Sequence, residues 1–519
     1  MTDQTPPAAP PAAPPAHLAA LAGLVAGGLG VGLSELLAGV FAGAPSLVLS
    51  IGSLVIALQP PGAKQLMVDL FGEADKLVLN LAVLVVALVG GAGLGVLARK
   101  WPRLAMAGFA GVGLLGLIAA VRDPLVDPVL ATITAGLASG VAMLTLPRLL
   151  RLATPRQAET PPMLDFDRRR FLGATIALTS VAATSGAVGR FLLERRTQQA
   201  GSVPQVPLPG ATAPPPPTGA ELDVAGVSPL VTPNKTFYRI DTALLVPRLD
   251  ATTWSLSISG MVDNPYSLSY EELLAMPLVE QYVTIACVSN EVGGDLVGNA
   301  LWRGARLRDV LDRAGVQAGA TQVVGRSFDG WTAGFPTAWL DNPEREALLA
   351  VAMNGETLPP AHGFPARLIV PGLYGYVSAT KWLTEIELTT LEAFDAYWVP
   401  LGWAKEAPIL TQSRIDVPRD GSTVAPGSVA VAGVAWAPDR GIAAVEVQVD
   451  DGEWRAAELS APISDATWVQ WLYRWDATAG DHRLTVRATD GTGEVQTDRV
   501  TRPPPDGARG HHSIDVTVG

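Results

Sequence analysis

A chain of 519 residues with a formal net charge of -12 has room for roughly three domains and offers no basic face, which excludes a nucleic-acid partner. Its charge is unevenly spread: the first third is nearly free of it and rich in Leu, Val, Ala and Gly, whereas the remainder has the charged, Trp and Pro content of a soluble protein. Two solvents are implied.

Residues 1–16 read as a disordered Pro/Ala-rich tail. Over 17–150, apolar runs at 17–41, 46–58, 77–98, 104–121 and 128–146 are bounded by Pro, Gly or charge, and most approach the ~20 residues that cross a bilayer. The run 46–58 crosses only with its Ala/Pro flanks, so the count is five spans, or four without it. The connections "ARKWPR" (98–103) and "PRLLRLATPR" (147–156) are basic, while "VDLFGEAD" and "VRDPLVDP" are acidic or balanced. The positive-inside rule puts the basic ones in the cytoplasm. Glu35, ionisable inside the first span, is either functional or turned toward a Gly-rich helix neighbour.

The segment 165–195 carries most of "DRRRFLGATIALTSVAATSGAVGRFLLERR" (167–196), which resembles a twin-arginine export signal placed internally; the alternative is an ordinary last transmembrane helix. Both readings hold Arg168, Arg169 and Arg170 inside and send everything after the helix out of the cytoplasm. Residues 196–225 form a Pro-rich tether, extended at ~3 Å per residue. From 226 to 403 short β-type runs such as "QYVTIACV" and "TEIELTT" alternate with helical "SYEELLAM" and "RLRDVLDRAG", giving a mixed α/β domain. From 404 to 519 about seven alternating strands separated by Gly, Asp and Pro turns read as an immunoglobulin-like sandwich.

Cys287, in "TIACVSNEVGGD", is the only cysteine. It cannot form an intramolecular disulfide, so it is a small buried hydrophobe, a nucleophile or a soft metal ligand. It leaves an apolar strand for a Gly- and Asn-rich loop of the kind whose N–H groups approach a ligand closely. His362 is the only histidine of the mixed domain, so no site of several imidazoles is available there, and Cys287 with His362 is the remaining nucleophile pair.

"VTIACVSNEVGGDLVGNALWRGARLRDVLDRAG" resembles the molybdenum-binding segment of the sulfite oxidase family, and "MNGETLPPAHGFPARLIVPGLYGYVSATKWLTEIEL" resembles that family's second signature. The resemblance covers 232 to the C terminus, because the family follows its catalytic domain with an immunoglobulin-like dimerisation domain. It implies a molybdopterin cofactor and a homodimer through that domain. Cys287 would supply the thiolate to molybdenum, and His362 and Arg367 would bind the pterin's phosphate, Arg being well shaped for a bidentate contact. Lys381 matches a pterin-binding lysine, with Ser378 and Thr380 adding hydroxyls in the same loop. Tyr238 and Arg239 fall near a pterin-binding stretch, although the family's Asn-His after the arginine is Ile240-Asp241 here. Ser327 and Asp329 lie where the family has another cofactor contact. Each of these residues alone reads as an ordinary turn, strand or surface residue; together they make a site.

The resemblance implies a tyrosine beside the metal for sulfite chemistry, and Trp403 falls at that position. Tyr397 is the nearby phenol, and Arg239 is the arginine available for an anionic substrate. Oxygen-atom transfer at a small sulfur or oxyanion substrate is implied, with reduction of S-oxides or N-oxides as the alternative. A cofactor-free cell-surface binding module is the non-enzymatic one. No C-x-x-C-H occurs, one cysteine excludes an iron–sulfur cluster, and the spans hold no histidine beyond His17, so an external electron carrier, a cytochrome or a quinone, is required.

Overall fold

The computed structural model describes residues 13–59, 67, 70, 71, 75–123, 126–154, 164–199, 213–342 and 345–519. Most of the expected N-terminal tail, the side chain of Arg168 and much of the Pro-rich tether lie outside them. The chain forms two compact units, one of residues 1–200 with 243–245 and the other of the remainder.

The first unit is helical: α1 (Ala16–Val40), α2 (Leu47–Leu58), α3 (Asp75–Leu97), α4 (Pro102–Ala120), α5 (Pro128–Ala153) and α6 (Leu164–Gln199). Five of these are long and apolar enough to cross a membrane. At 12 residues α2 is only ~18 Å long, shorter than the other five apolar helices. Ser46 caps it by accepting the Leu49 N–H at 3.2 Å, and the chain turns extended at Gln59. α6, the helix with the paired arginines, is the fifth.

Small residues let α1 approach its neighbours closely. A Cβ on Gly23 would lie 2.1 Å from the Gly91 carbonyl oxygen of α3, and one on Gly39 would lie 2.4 Å from that of Gly189 on α6. Such backbone contact holds helices together where lipid gives no hydrophobic drive. Glu35 is buried on this α1–α6 face, accepts a hydrogen bond from Ser46 Oγ and stands 3.7 Å from Arg190 Nε. It faces the Gly-rich neighbour and also ties the two helices.

The second unit begins as a mixed α/β domain. Its strands are β1 (Ser255–Gly260), β2 (Tyr266–Ser269), β3 (Leu278–Ala286), β4 (Val297–Arg306), β5 (Gln322–Ser327), β6 (Thr332–Pro336), β7 (Leu348–Met353), β8 (Glu356–Thr357), β9 (Arg367–Ile369) and β10 (Leu383–Thr389). Helices α7 (Tyr270–Ala275), α8 (Leu307–Ala314) and α9 (Gly375–Ser378) connect them. One sheet runs β2-β1-β10-β5-β6 with β1 and β10 parallel; the other runs β3-β4-β7-β8 with β9 on β7. Leu256, Ile258, Val310, Leu349, Leu368 and Ile386 are all buried in the main core. α7 begins with a reciprocal capping box between Ser269 and Glu272, and α8 ends on Gly315 in the left-handed region (φ 69°).

The C-terminal part is all-β. Strands β11 (Gln412–Val417), β12 (Ser422–Val424), β13 (Gly427–Trp436), β14 (Ile442–Val449), β15 (Arg455–Ala456), β16 (Glu458–Leu459), β17 (Val469–Ala477), β18 (Gly480–Asp490) and β19 (His512–Val518) form sheets β11-β13-β17-β16 and β12-β19-β18-β14-β15. Val431, Trp471, Val447 and Val486 fill the space between them. Nine strands are present where about seven were expected, because β15 and β16 have two residues each, too few to show alternation.

Candidate active site

Cys287 follows β3 directly. Its N–H donates to the Leu296 carbonyl at 2.9 Å, its own carbonyl accepts the Asn290 N–H at 3.0 Å, and Asn290 Oδ1 accepts the Leu296 N–H at 2.8 Å. The base of the loop between β3 and β4 is thereby closed, and the thiol is buried outside any disulfide.

Three further segments converge. The turn Pro360–His362 ends on Gly363 (φ 115°), where a Cβ would lie 3.0 Å from the Lys381 Cα, so glycine permits the turn to rest on the lysine's backbone. His362 Nε2 lies 2.9 Å from the Asn234 carbonyl, which requires that nitrogen to carry the proton and leaves Nδ1 buried without a partner. Arg367 donates through Nη1 to the His362 carbonyl at 2.9 Å and through Nη2 to that of Ala379 at 3.5 Å; its Nε has no hydrogen-bond partner among the described residues. The guanidinium also lies 5.1 Å from the Trp302 ring centre. Lys381 donates to Asp241 Oδ2 at 3.0 Å and to the Ala361 carbonyl at 3.1 Å. Its neighbour Trp382 has a left-handed backbone (φ 48°), held by its indole on the Pro360 carbonyl at 2.7 Å and by the Phe328 N–H on its own carbonyl at 2.8 Å.

The electrostatics follow from burial. Desolvation pushes His362 down to about 4 against the pull of the Asn234 carbonyl, and the positive charges of Arg367, Lys381 and Arg239 push the same way. Burial also lowers Arg367 to about 10 and lowers Lys381, where Asp241 opposes it. Lys381 has the Asp241 carboxylate, whereas Arg367 bonds to backbone carbonyls, so positive charge is in excess. Tyr238 is raised by burial and by Cys287, against Arg367, and Tyr374 is raised by burial and, among smaller causes, by Cys287. Asp329 is raised mainly by burial.

Cys287 thus acts electrostatically on Tyr238, Tyr238 on Arg367, and Arg367, Lys381 and Arg239 on His362, which chains the six residues into one neighbourhood. Arg239 is exposed at the rim. Ser327 Oγ is buried without a hydrogen bond among the described residues, next to the Phe328–Trp382 contact. Ser378 Oγ donates to the Leu373 and Tyr374 carbonyls at 3.2 and 3.0 Å, and Thr380 Oγ1 to that of Gly325 at 3.5 Å. Trp403 packs on Tyr376 and Trp398, with ring centres 5.7 and 6.4 Å apart. Tyr238 and Tyr374 are the phenols that respond to Cys287, whereas Tyr397 responds to Asp329. Two residues escaped the sequence reading. Asp241 looked like a departure from a motif, yet it supplies the carboxylate to Lys381; Tyr374 lay inside the second signature with nothing to distinguish it from Tyr376.

A phosphate-bearing pterin fits this donor set. The Arg367 Nε–H is a buried donor without an acceptor among the described residues, the cradle carries excess positive charge, and Cys287 brings a thiol, a soft ligand. Fold and site together define a molybdopterin-dependent oxidoreductase. Residues 243–398 match the oxidoreductase molybdopterin binding domain and 412–486 the bacterial Ig domain. Mitochondrial sulfite oxidase of Homo sapiens is 33% identical over 320 residues, covering 52% of this chain and 58% of that protein. The uncharacterized oxidoreductase YuiH of Bacillus subtilis is 40% identical over 155 residues, 30% of this chain and 74% of that protein. The crystal structure of the sulfane dehydrogenase SoxCD from Paracoccus pantotrophus aligns with a TM-score of 0.49 at 22% identity, over 57% of this chain and 88% of that one. The chain spans little more than half the length of the mitochondrial sulfite oxidases it matches. It belongs to the sulfite oxidase family of molybdopterin oxidoreductases.

Proposed function

We propose that this chain is a membrane-anchored oxidoreductase whose catalytic and sandwich domains stand outside the cytoplasm and which transfers an oxygen atom at a small sulfur-containing or oxyanion substrate. The observation that carries this reading is the meeting of the Cys287 thiol with a buried, charge-unbalanced cradle containing an orphaned donor. When bound, the molybdopterin centre supplies a two-electron change coupled to oxygen transfer. Cys287 gives that centre its protein thiolate. Arg367, Lys381 and His362 hold the pterin's anionic end, the neutral imidazole offering Nδ1 as an acceptor or taking a proton as the anion arrives. Ser327 Oγ and Asp329 flank the cradle, and the backbone around Ser378 and Thr380 closes it. Arg239, exposed at the rim, attracts an anionic substrate.

Anchoring rests on the five long apolar helices, and the outward orientation on the basic connections at 98–103 and 147–156. Electrons leave to an external cytochrome or quinone, and the sandwich serves as a homodimer contact. The aromatic cluster Tyr376, Trp398 and Trp403 favours a second reading, reduction of an S-oxide or N-oxide, because an indole has no ionisable hydroxyl and offers a face to a larger substrate.

Metal content tests the core of the proposal. Purified protein should carry about one molybdenum per chain, which a cofactor-free binding module would not. Cys287→Ser should abolish turnover and the sulfur-to-metal charge-transfer absorption while the far-ultraviolet circular dichroism is kept; retained activity overturns the ligand assignment. A reporter fused after Gly519 should be active only outside the cytoplasm.

A further inference from the structure

The loop that carries Cys287 is closed at its base by its own residues, but its tip is held from elsewhere. Gly294 offers its carbonyl to Arg414 Nη1 of β11 at 2.6 Å. Arg414 is buried and fixed on its other sides: Nε donates to Asp416 Oδ1 at 2.7 Å and Nη2 to Ser228 Oγ at 2.8 Å, while the Ser228 N–H donates to Asp416 Oδ2 at 2.9 Å. Beside it Gly293 (φ 79°) lies against the His512 ring of β19, so closely that a Cβ would fall 2.2 Å from the imidazole Cδ2. His512 is held in turn, its Nδ1 accepting the Ile415 N–H at 3.0 Å. The strand leading to Cys287 is engaged as well: the Thr284 N–H donates to the Ala466 carbonyl at 2.9 Å, and Thr284 Oγ1 accepts the Trp468 N–H at 2.8 Å.

We infer that the sandwich domain is part of the catalytic apparatus, with Arg414 as a positioning residue that sets the Cys287 loop through Gly294 and with His512 as the stop against which Gly293 rests. This rests on the reading of Cys287 as the metal's thiolate. The physical reason is that a loop with two consecutive glycines has little conformational preference of its own. A guanidinium with a carboxylate, a hydroxyl and a carbonyl at fixed directions removes that freedom at one end, and the imidazole face removes it at the other.

The test uses the full chain in two forms. In cofactor-free protein, made in a host that cannot synthesise molybdopterin, iodoacetamide capture of Cys287 at fixed pH reads how often the loop opens. Arg414→Met should raise that rate about tenfold, the factor that goes with removing one charge-assisted hydrogen bond from the closed loop. Arg414→Lys, which keeps one donor, should fall between. Arg483→Met breaks an exposed pair with Asp515 elsewhere on the same sandwich and should match the parent. Gly293→Ala should also speed capture, by pushing the loop off His512 while Arg414 is intact, and it serves if Arg414→Met does not fold. In loaded protein Arg414→Met should lower kcat more than it raises KM and shift the g-values of the molybdenum(V) resonance, and Arg414→Lys should restore both in part. Capture rates in Arg414→Met and Gly293→Ala equal to the parent overturn the inference. If Cys287→Ser keeps the metal's spectrum, the ligand reading fails, whereas the capture rates still decide whether the sandwich holds the loop.

Discussion

Arg367 holds a positive charge inside the protein with backbone carbonyls, not a carboxylate, as its hydrogen-bond acceptors among the described residues. Burial lowers its pKa to about 10, which corresponds to about 3 kcal/mol against the charged guanidinium in the folded, cofactor-free protein. Against this stand its bonds to the His362 and Ala379 carbonyls, the second of them long at 3.5 Å, together contributing about 2 kcal/mol. Arg367→Met removes both the penalty and the bonds and keeps most of the contact with the Trp302 ring. The stability of the cofactor-free protein should therefore change by no more than about 1 kcal/mol, or a few degrees in the Tm of a domain this size. The loaded protein behaves differently. Losing a charge-assisted contact to the pterin's anionic end should weaken cofactor retention by about 2 to 3 kcal/mol, roughly 30- to 150-fold. Thermal unfolding of the cofactor-free form, with molybdenum retained through dialysis of the loaded form, separates the two effects. A drop of more than about 10 °C in the cofactor-free Tm with retention unchanged would show that Arg367 is a structural cation and that the cradle reading is wrong.

Two other outcomes are expected. Asp490 is buried and, although desolvation raises its pKa, hydrogen bonds from Arg440, Thr492, Thr411 and the Glu494 N–H outweigh that and hold it down to about 2. A depressed carboxylate contributes its stability above its unfolded pKa and loses it as pH falls through the folded value. About 2 kcal/mol should therefore vanish between pH 4 and pH 2. Asp490→Asn should lose this pH dependence in the sandwich's unfolding transition and be less stable at pH 7; an unchanged acid transition would refute the assignment. Trp403→Tyr should raise sulfite turnover relative to reduction of an S-oxide by an artificial donor, and an unchanged ratio would remove Trp403 from substrate selection.

How much of this was legible in the sequence depended on how far apart the interacting residues lie. His362, Arg367 and Lys381 sit within twenty residues of one another in a signature whose spacing is itself the geometry: a turn ending on Gly363, a strand beginning at Arg367 and a return at Lys381. Cys287 was legible because it is the only thiol and directly follows an apolar strand. The strand content and the sandwich followed from alternation, which records which face is buried. Alternation says nothing about which strands pair, so the parallel union of β1 with β10, residues 257–260 against 385–388, left no local trace. The same limit hid the directions of hydroxyls. Ser378 and Thr380 stand in the expected loop, and their hydroxyls meet the carbonyls of Leu373, Tyr374 and Gly325, contacts set by local main-chain geometry that residue type does not encode. Asp241 shows the converse. Its motif position held an unexpected residue, and only the fold reveals that a carboxylate there answers a lysine 140 residues later. Arg414 lies farther still from the motifs, in a domain whose sequence reads as a separate module. A contact across 120 residues to a glycine carbonyl uses no side chain on the receiving end, so no pattern of residue types could have announced it.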